Sequence, residues 1–149
     1  MELKVLTVQD REIITELFLD VFTHEPWNDD WSDPEQLRAY IDDLTGQRYS
    51  LTLGFFDEDR LAALSMGHVK HWYTGTEYIV EEFCVARTMQ RKGVGGSFMK
   101  AIASYLAEQG IRQVFLQTEK DMPAYSFYLH NGFRELTGHV SFAKRIEEW

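Results

Sequence analysis

Cysteine occurs once, at Cys84, so no disulfide can form within the chain and a disulfide scaffold is excluded. Proline occurs three times, and there is no Gly/Ser/Pro-rich tract, internal repeat or low-complexity segment to mark a linker. A chain of 149 residues is therefore expected to form a single domain over 1–149. No apolar run approaches the roughly 20 residues that a membrane helix needs. The opening Met1-Glu2-Leu3-Lys4 lacks the charged-then-apolar order of a secretory signal. A cytoplasmic location with no membrane partner is the expectation. Positive charge is also scarce: 15 Lys/Arg stand against 24 Asp/Glu, a net charge of −9. That balance argues against a broad basic face and hence against a nucleic-acid partner. The five histidines, His24, His68, His71, His130 and His139, show no metal-ligand spacing, so no metal is expected.

What is present is ample material for a core. Hydrophobic residues make up 44% of the chain, with 10 Phe, 7 Tyr and 4 Trp. The charge is unevenly spread: residues 1–86 carry a balance of −12 and residues 87–149 a balance of +3. An acidic N-terminal part can attract a cation and a mildly basic C-terminal part a polyanion, although such charges are often only solvated surface.

Hydrophobic periodicity predicts a short strand over 3–8 and a helix over 10–22, capped by Thr7 and Asp10. A loop, Thr23 to Trp31, leads to a second helix capped by Ser32 or Asp33, with Pro34 in its first turn, ending at Gly46. Three strands follow near 49–56, 61–70 and 77–86, with turns at Asp57-Glu58-Asp59-Arg60 and Thr74-Gly75-Thr76. A helix over 94–109 is stopped by Gly110, and Gln113 to Thr118 reads as a buried strand. Pro123 opens a last helix reaching Asn131-Gly132, and two strands, near 133–137 and 139–146, finish the chain. The fold class is α/β (α+β): a mixed, mostly antiparallel sheet of about six to seven strands flanked by about four helices.

One stretch carries chemistry by itself. The strand at 77–86 runs into Gln90-Arg91-Lys92-Gly93-Val94-Gly95-Gly96-Ser97, which opens a helix. Unpaired amides at a helix N-terminus can donate hydrogen bonds to a pyrophosphate, and glycines let the backbone approach it. Arg87, Arg91 and Lys92 add positive charge, with no acid among residues 87–97. The window is neither a P-loop nor a dinucleotide fingerprint, since Gly96 comes too early for GxGxxG. The glycines could equally serve tight helix–sheet packing. In the strand before it, Glu81 and Glu82 point to opposite faces unless a bulge intervenes. Cys84 lies mid-strand among apolar neighbours, where a free thiol is usually packing.

Gln90-Arg91-Lys92-Gly93-Val94-Gly95 resembles the acetyl-CoA motif (Gln/Arg)-x-x-Gly-x-(Gly/Ala) of the GNAT (GCN5-related N-acetyltransferase) superfamily. Glu81-Glu82-Phe83-Cys84-Val85 is similar to the fourth strand that precedes that motif. Ala124-Tyr125-Ser126-Phe127-Tyr128-Leu129-His130-Asn131-Gly132-Phe133 is similar to the later signature A-x-x-F-Y-x-x-x-G-F. The resemblance covers about 77–135.

It implies a sheet splayed between its fourth and fifth strands, opened by a bulge, and an acyltransferase that uses acetyl-CoA. The pantetheine arm would pair with the strand end at Phe83, Cys84 and Val85. The pyrophosphate would lie on the stretch Gln90, Arg91, Lys92, Gly93, Val94, Gly95, Gly96 and Ser97. Asp121 stands where the family often has Asn, seven residues before Tyr128, and an ionised Asp cannot donate a hydrogen bond. Tyr128 would also be the proton donor to the leaving thiolate, and Glu82 or Glu81 the base, unless water carries the proton. His68 and His71 could flank the acceptor cleft or be ordinary surface residues.

The loop between the first two helices would form one wall of the acceptor site. Its Trp27, Asp29, Asp30 and Trp31 suit a protonated amine by cation–π contact and charge pairing, or else the tryptophans merely seal the helices onto the sheet. The expected partner is a small-molecule amine acceptor, polyamine-, aminoglycoside- or amino-acid-like. A protein lysine or N-terminus is the rival acceptor, and a non-catalytic acetyl-CoA-binding sensor the rival class. The family leaves room for a homodimer built on the apolar C-terminal strands and Trp149.

Overall fold

The computed structural model describes residues 1–147. It has two compact units, Met1–Gln117 and Thr118–Trp149. In the first, β1 (Glu2–Leu6) is followed by a 3-10 turn at Val8–Asp10 and by helices α1 (Arg11–Phe22) and α2 (Pro34–Thr45). Strands β2 (Ser50–Asp57), β3 (Arg60–Trp72) and β4 (Gly75–Val85), helix α3 (Val94–Glu108) and strand β5 (Gln113–Leu116) complete it. The sheet order is β1-β2-β3-β4-β5, antiparallel except for the parallel β4–β5 pair. The β4–α3–β5 crossover enforces that parallel pair, since parallel neighbours need a long connection.

Local chemistry explains the helix starts. Thr7 and Asp10 form a capping box, with the Thr7 amide donating to Asp10 Oδ2 at 2.9 Å. The cap is followed by a single 3-10 turn, so α1 begins at Arg11, one residue later than the sequence pattern predicts. At α2, Asp33 and not Ser32 is the cap, accepting from the amides of Glu35 and Gln36 at 3.0 and 3.2 Å. Arg11 on α1 pairs with Asp42 on α2 at 2.7 Å. The β3–β4 hairpin is tighter than expected: β3 runs to Trp72 and β4 restarts at Gly75, whose φ of 143° suits only glycine.

Alternation along the strands builds two cores. α1 and α2 cover one face of the sheet, where Ile14, Phe18 and Ile41 meet Leu6, Phe56, Leu64, Met66 and Cys84. α3 covers the other, where Phe98 and Ile102 meet Leu53, Phe55, Ala63, Tyr78 and Val80. The buried Tyr78 hydroxyl is satisfied by Ser65 Oγ at 2.8 Å and by the Leu51 carbonyl at 3.2 Å.

The second unit contains α4 (Pro123–His130), with Pro123 in its first turn. Gly132, at φ 87°, turns the chain so that the Phe133 amide donates to the Tyr128 carbonyl at 3.0 Å. The two strands predicted near 133–137 and 139–146 do not form among the described residues, so the sheet has five strands, not six or seven. Val140, Phe142 and Ile146 have strand-forming side chains, but propensity alone does not make a strand without a ladder partner. They are exposed instead. Trp149, expected at an interface, lies outside the described residues.

Candidate active site

The site is set by an irregularity in β4. Met66 pairs with Glu82 but Gly67 pairs with Val80, so Glu81 is an extra, bulged residue. Before the bulge, Tyr78 and Val80 face α3. After it, Phe83 and Val85 pack on the α3 side while Cys84 joins the α1–α2 core. Glu82 is thereby turned towards α1 and α2. Opposite the bulge the backbones come so close that a Cβ on Gly67 would lie 1.9 Å from the Ile79 carbonyl oxygen. Only glycine fits there.

Glu82 is partly buried and accepts a hydrogen bond from the Tyr40 hydroxyl at 3.0 Å. Desolvation raises its proton affinity. The Tyr40 bond opposes the rise, Asp29 and Glu81 add to it, and the result is a pKa of about 7. Tyr40 itself is pushed well above the ordinary tyrosine range, first by burial and then by Glu82. Its ring stacks on Trp31 with centroids 5.3 Å apart and planes at 11°, and meets the edge of Phe18 at 6.0 Å. Glu81 is exposed, with His68 Nδ1 3.9 Å from its carboxylate. His71 is exposed at the strand end, its ring 6.0 Å from that of Tyr49.

The loop residues divide by role. Trp27 packs on Phe22 at 5.8 Å and Trp31 on Phe18 at 5.3 Å, and both complete the α1–α2 core. Asp29 is exposed, and its charge is felt at Glu82. Asp30 accepts from the Ser32 amide at 3.0 Å, and bonds from Ser32 hold its carboxyl below the usual range. The Cys84 thiol is buried and pushed far above its normal range by burial, then by Glu82 and Asp20, so it stays protonated and inert as a nucleophile.

Beyond β4, Gly93 caps α3 in a left-handed conformation at φ 79°, with no side-chain cap. A Cβ there would meet nothing within 4 Å. The first amides of α3, at Val94, Gly95 and Gly96, have no acceptor inside the helix, and the first intrahelical bond runs from the Ser97 amide to the Gly93 carbonyl at 3.1 Å. Arg91 and Lys92 are exposed beside them. An open, uncapped helix start flanked by two cations fits a pyrophosphate. Arg87 does not belong to this set: its guanidinium is bound to Asp20 on α1 at 3.0 Å, an acid far away in sequence that a local count of charges misses. The Gln90 side-chain amide donates to the Val85 carbonyl at 3.0 Å, bracing the loop on the strand end. β5 pairs with β4 only over Glu77–Val80, so Glu81–Val85 extend past it. Phe83 stacks on Phe98 at 5.4 Å.

In the second unit, Tyr128 is partly buried, with its ring against Phe127 and Phe133 at 5.3 and 5.2 Å. Asp121 is exposed in the turn before α4.

The model of the Acetyltransferase (GNAT) family matches residues 11–133. The chain belongs to the acetyltransferase (GNAT) family. An uncharacterized N-acetyltransferase from Bacillus subtilis (strain 168), YhfO, is 33% identical over 70 residues, 46% of this chain and 47% of that protein. The matched part thus spans about half the length of that relative. Solved structures share the fold, and two of them bear on the site. One is the aminoglycoside acetyltransferase meta-AAC0020 from an uncultured soil metagenomic sample, in complex with sisomicin, with a TM-score of 0.71, 20% identity, and 97% and 96% of the two chains covered. The other is AAC(6')-Iy in complex with the bisubstrate analog CoA-S-monomethyl-acetylneamine, with a TM-score of 0.74, 13% identity and 97% of each chain covered.

In this GNAT protein the bulge turns Glu82 onto Tyr40 of the Trp31–Tyr40 stack, and the charges of Asp29 and Glu81 are felt at its carboxyl. Asp30 is spent on its own turn. Two residues of the site were missed in the sequence, and each had a signal. Tyr40 lies three residues after Leu37 on the buried side of α2, where a phenol needs a partner. Gly67 is a lone glycine inside a strand pattern, which marks a bulge or a close backbone approach. Among the described residues no group of three or more His, Cys, Asp or Glu side chains is placed to hold a metal ion, and no helix is long and apolar enough to cross a membrane.

Proposed function

We propose that this protein transfers the acetyl group of acetyl-CoA directly to a primary amine, and that the amine is a small cationic molecule. The observation that carries this reading is Glu82, turned by the bulge towards α1 and α2 with a pKa of about 7 and with Asp29 and Glu81 as acidic neighbours. An alkylammonium must lose a proton before it can attack, and a carboxylate of near-neutral proton affinity is well matched to take it. Asp29 and Glu81 attract the cation, and the Trp31–Tyr40 stack offers it an aromatic border. Aminoglycosides carry several ammonium groups, so the fold neighbour that is an aminoglycoside acetyltransferase supports a polycationic acceptor.

When bound, acetyl-CoA would supply the electrophile, a thioester carbonyl with CoA as the leaving thiol, and the second proton shed by the acylated amine nitrogen would balance the one given to the sulfur. The α3 amides at Val94, Gly95 and Gly96, with Arg91 and Lys92, would hold its pyrophosphate. The backbone of Phe83 to Val85 would hold the arm. Tyr128, matching the signature tyrosine, would give the departing sulfur its proton.

Thiol release from acetyl-CoA, measured across aminoglycosides, polyamines, amino acids and lysine peptides, tests the reading. Release that depends on a cationic small amine is the expected result. Release with lysine peptides alone would move the acceptor to proteins. Cofactor binding by calorimetry without release to any amine would make the protein a sensor.

A further inference from the structure

We propose that Tyr40 is the positioning residue of this site, its hydroxyl holding the Glu82 carboxyl in place to receive the proton of the amine. The inference rests on Glu82 as the base. Tyr40 is itself fixed on three sides: stacked on Trp31 at 5.3 Å, against the edge of Phe18 at 6.0 Å, and bonded to Glu82 Oε1 at 3.0 Å. A phenol clamped in this way spends little rotamer freedom on the bond, and the carboxyl inherits its order. Burial keeps the hydroxyl protonated, so it is a permanent donor. The bond runs to the charged form of Glu82 and favours it over the neutral acid.

Other groups around Glu82 pull the opposite way. Asp29 from the α1–α2 loop and Glu81 from the bulge disfavour its charge. Asp20 on α1 is bound to Arg87, His68 on β3 lies beside Glu81, and the Cys84 thiol stays neutral. Among these described neighbours, the Tyr40 hydroxyl is the group bonded to the carboxyl in favour of its base form. Without it, Glu82 would hold its proton into the mildly alkaline range.

The test is Tyr40→Phe, which keeps the stack and removes the hydroxyl. Two readouts run in parallel across pH 5–9.5: kcat/KM with the amine found active, and the carboxyl resonance of Glu82 in 13C-glutamate-labelled protein, assigned with Glu82→Gln. We expect both midpoints to rise by about one pH unit, with kcat/KM about fivefold lower at pH 7 and within about twofold of wild type at pH 9. A uniform fall in kcat/KM with neither midpoint moved would mean a packing role alone and would overturn the proposal. A shifted carboxyl resonance with an unmoved activity profile would uphold the Tyr40–Glu82 coupling and remove Glu82 as the base, so the two readings fail separately. A thermal melt checks that the variant is folded.

Discussion

The two parts of the site in the first unit are built in opposite ways. The start of α3 is a local construction: eight consecutive residues, Gln90 to Ser97, provide the left-handed cap, the open amides and two cations. The Glu82–Tyr40 pair is assembled from distance, its members separated by 42 positions and joined because Gly67 lets β4 bulge. Local sites tolerate change elsewhere in the chain. Assembled sites fail when a remote backbone contact is altered, because the groups are held by packing and not by sequence adjacency.

The largest effect expected of that difference is at the base. Glu82→Gln should lower kcat/KM at pH 7 by about 100- to 1000-fold and abolish the inflection near neutral pH, while calorimetric affinity for acetyl-CoA stays within about twofold. If kcat/KM and affinity fell together, the two parts would not be separable.

The same variant sharpens the comparison through stability. The folded pKa of Glu82, about 7, stands above its ordinary 4.5. Its protonated form therefore favours the fold below about pH 4.5, and that contribution is lost as pH rises through 7. On going from pH 4.5 to pH 8, wild type should lose about 3 kcal/mol relative to Glu82→Gln, read by urea unfolding at each pH.

Next comes the remote contact. Gly67→Ala places a Cβ 1.9 Å from the Ile79 oxygen, so the ladder must shift. A destabilisation of about 2 kcal/mol is expected by thermal unfolding. With it should come loss of the pH inflection of activity, as Glu82 loses its bond to Tyr40. An alanine protein with an unchanged pH profile would show that the bulge does not aim Glu82.

The smallest effect is expected at the local part. Gly95→Asp, within the first turn of α3, adds a carboxylate among the phosphate-binding amides and should weaken acetyl-CoA about tenfold, with the pH midpoint of kcat/KM unmoved. Gly93 is a poorer choice, since any side chain at φ 79° is strained before a ligand is considered.

Much of the fold was legible in the sequence. Caps at Thr7, Asp10 and Asp33, the punctuation of Gly46 and Gly110, and short apolar runs announce the helices and the first strands, because caps and periodicity act within a few residues. The C-terminal strands were overread: Val140 and Phe142 alternate as a strand would, yet pairing needs a partner that propensity does not supply. The charge of Arg87 counts with Arg91 and Lys92 in the sequence, but in the fold it is offset by Asp20 on another element.

What the sequence determined by itself is the family and the chemistry of contiguous motifs, since a helix start with glycines and cations is complete within eight residues. Which carboxylate faces α1 and α2, and with what proton affinity, only the tertiary structure decided. A single bulged residue reverses the alternation of β4, and desolvation, Tyr40 and Asp29 reach Glu82 from elements that are neighbours only in the folded chain.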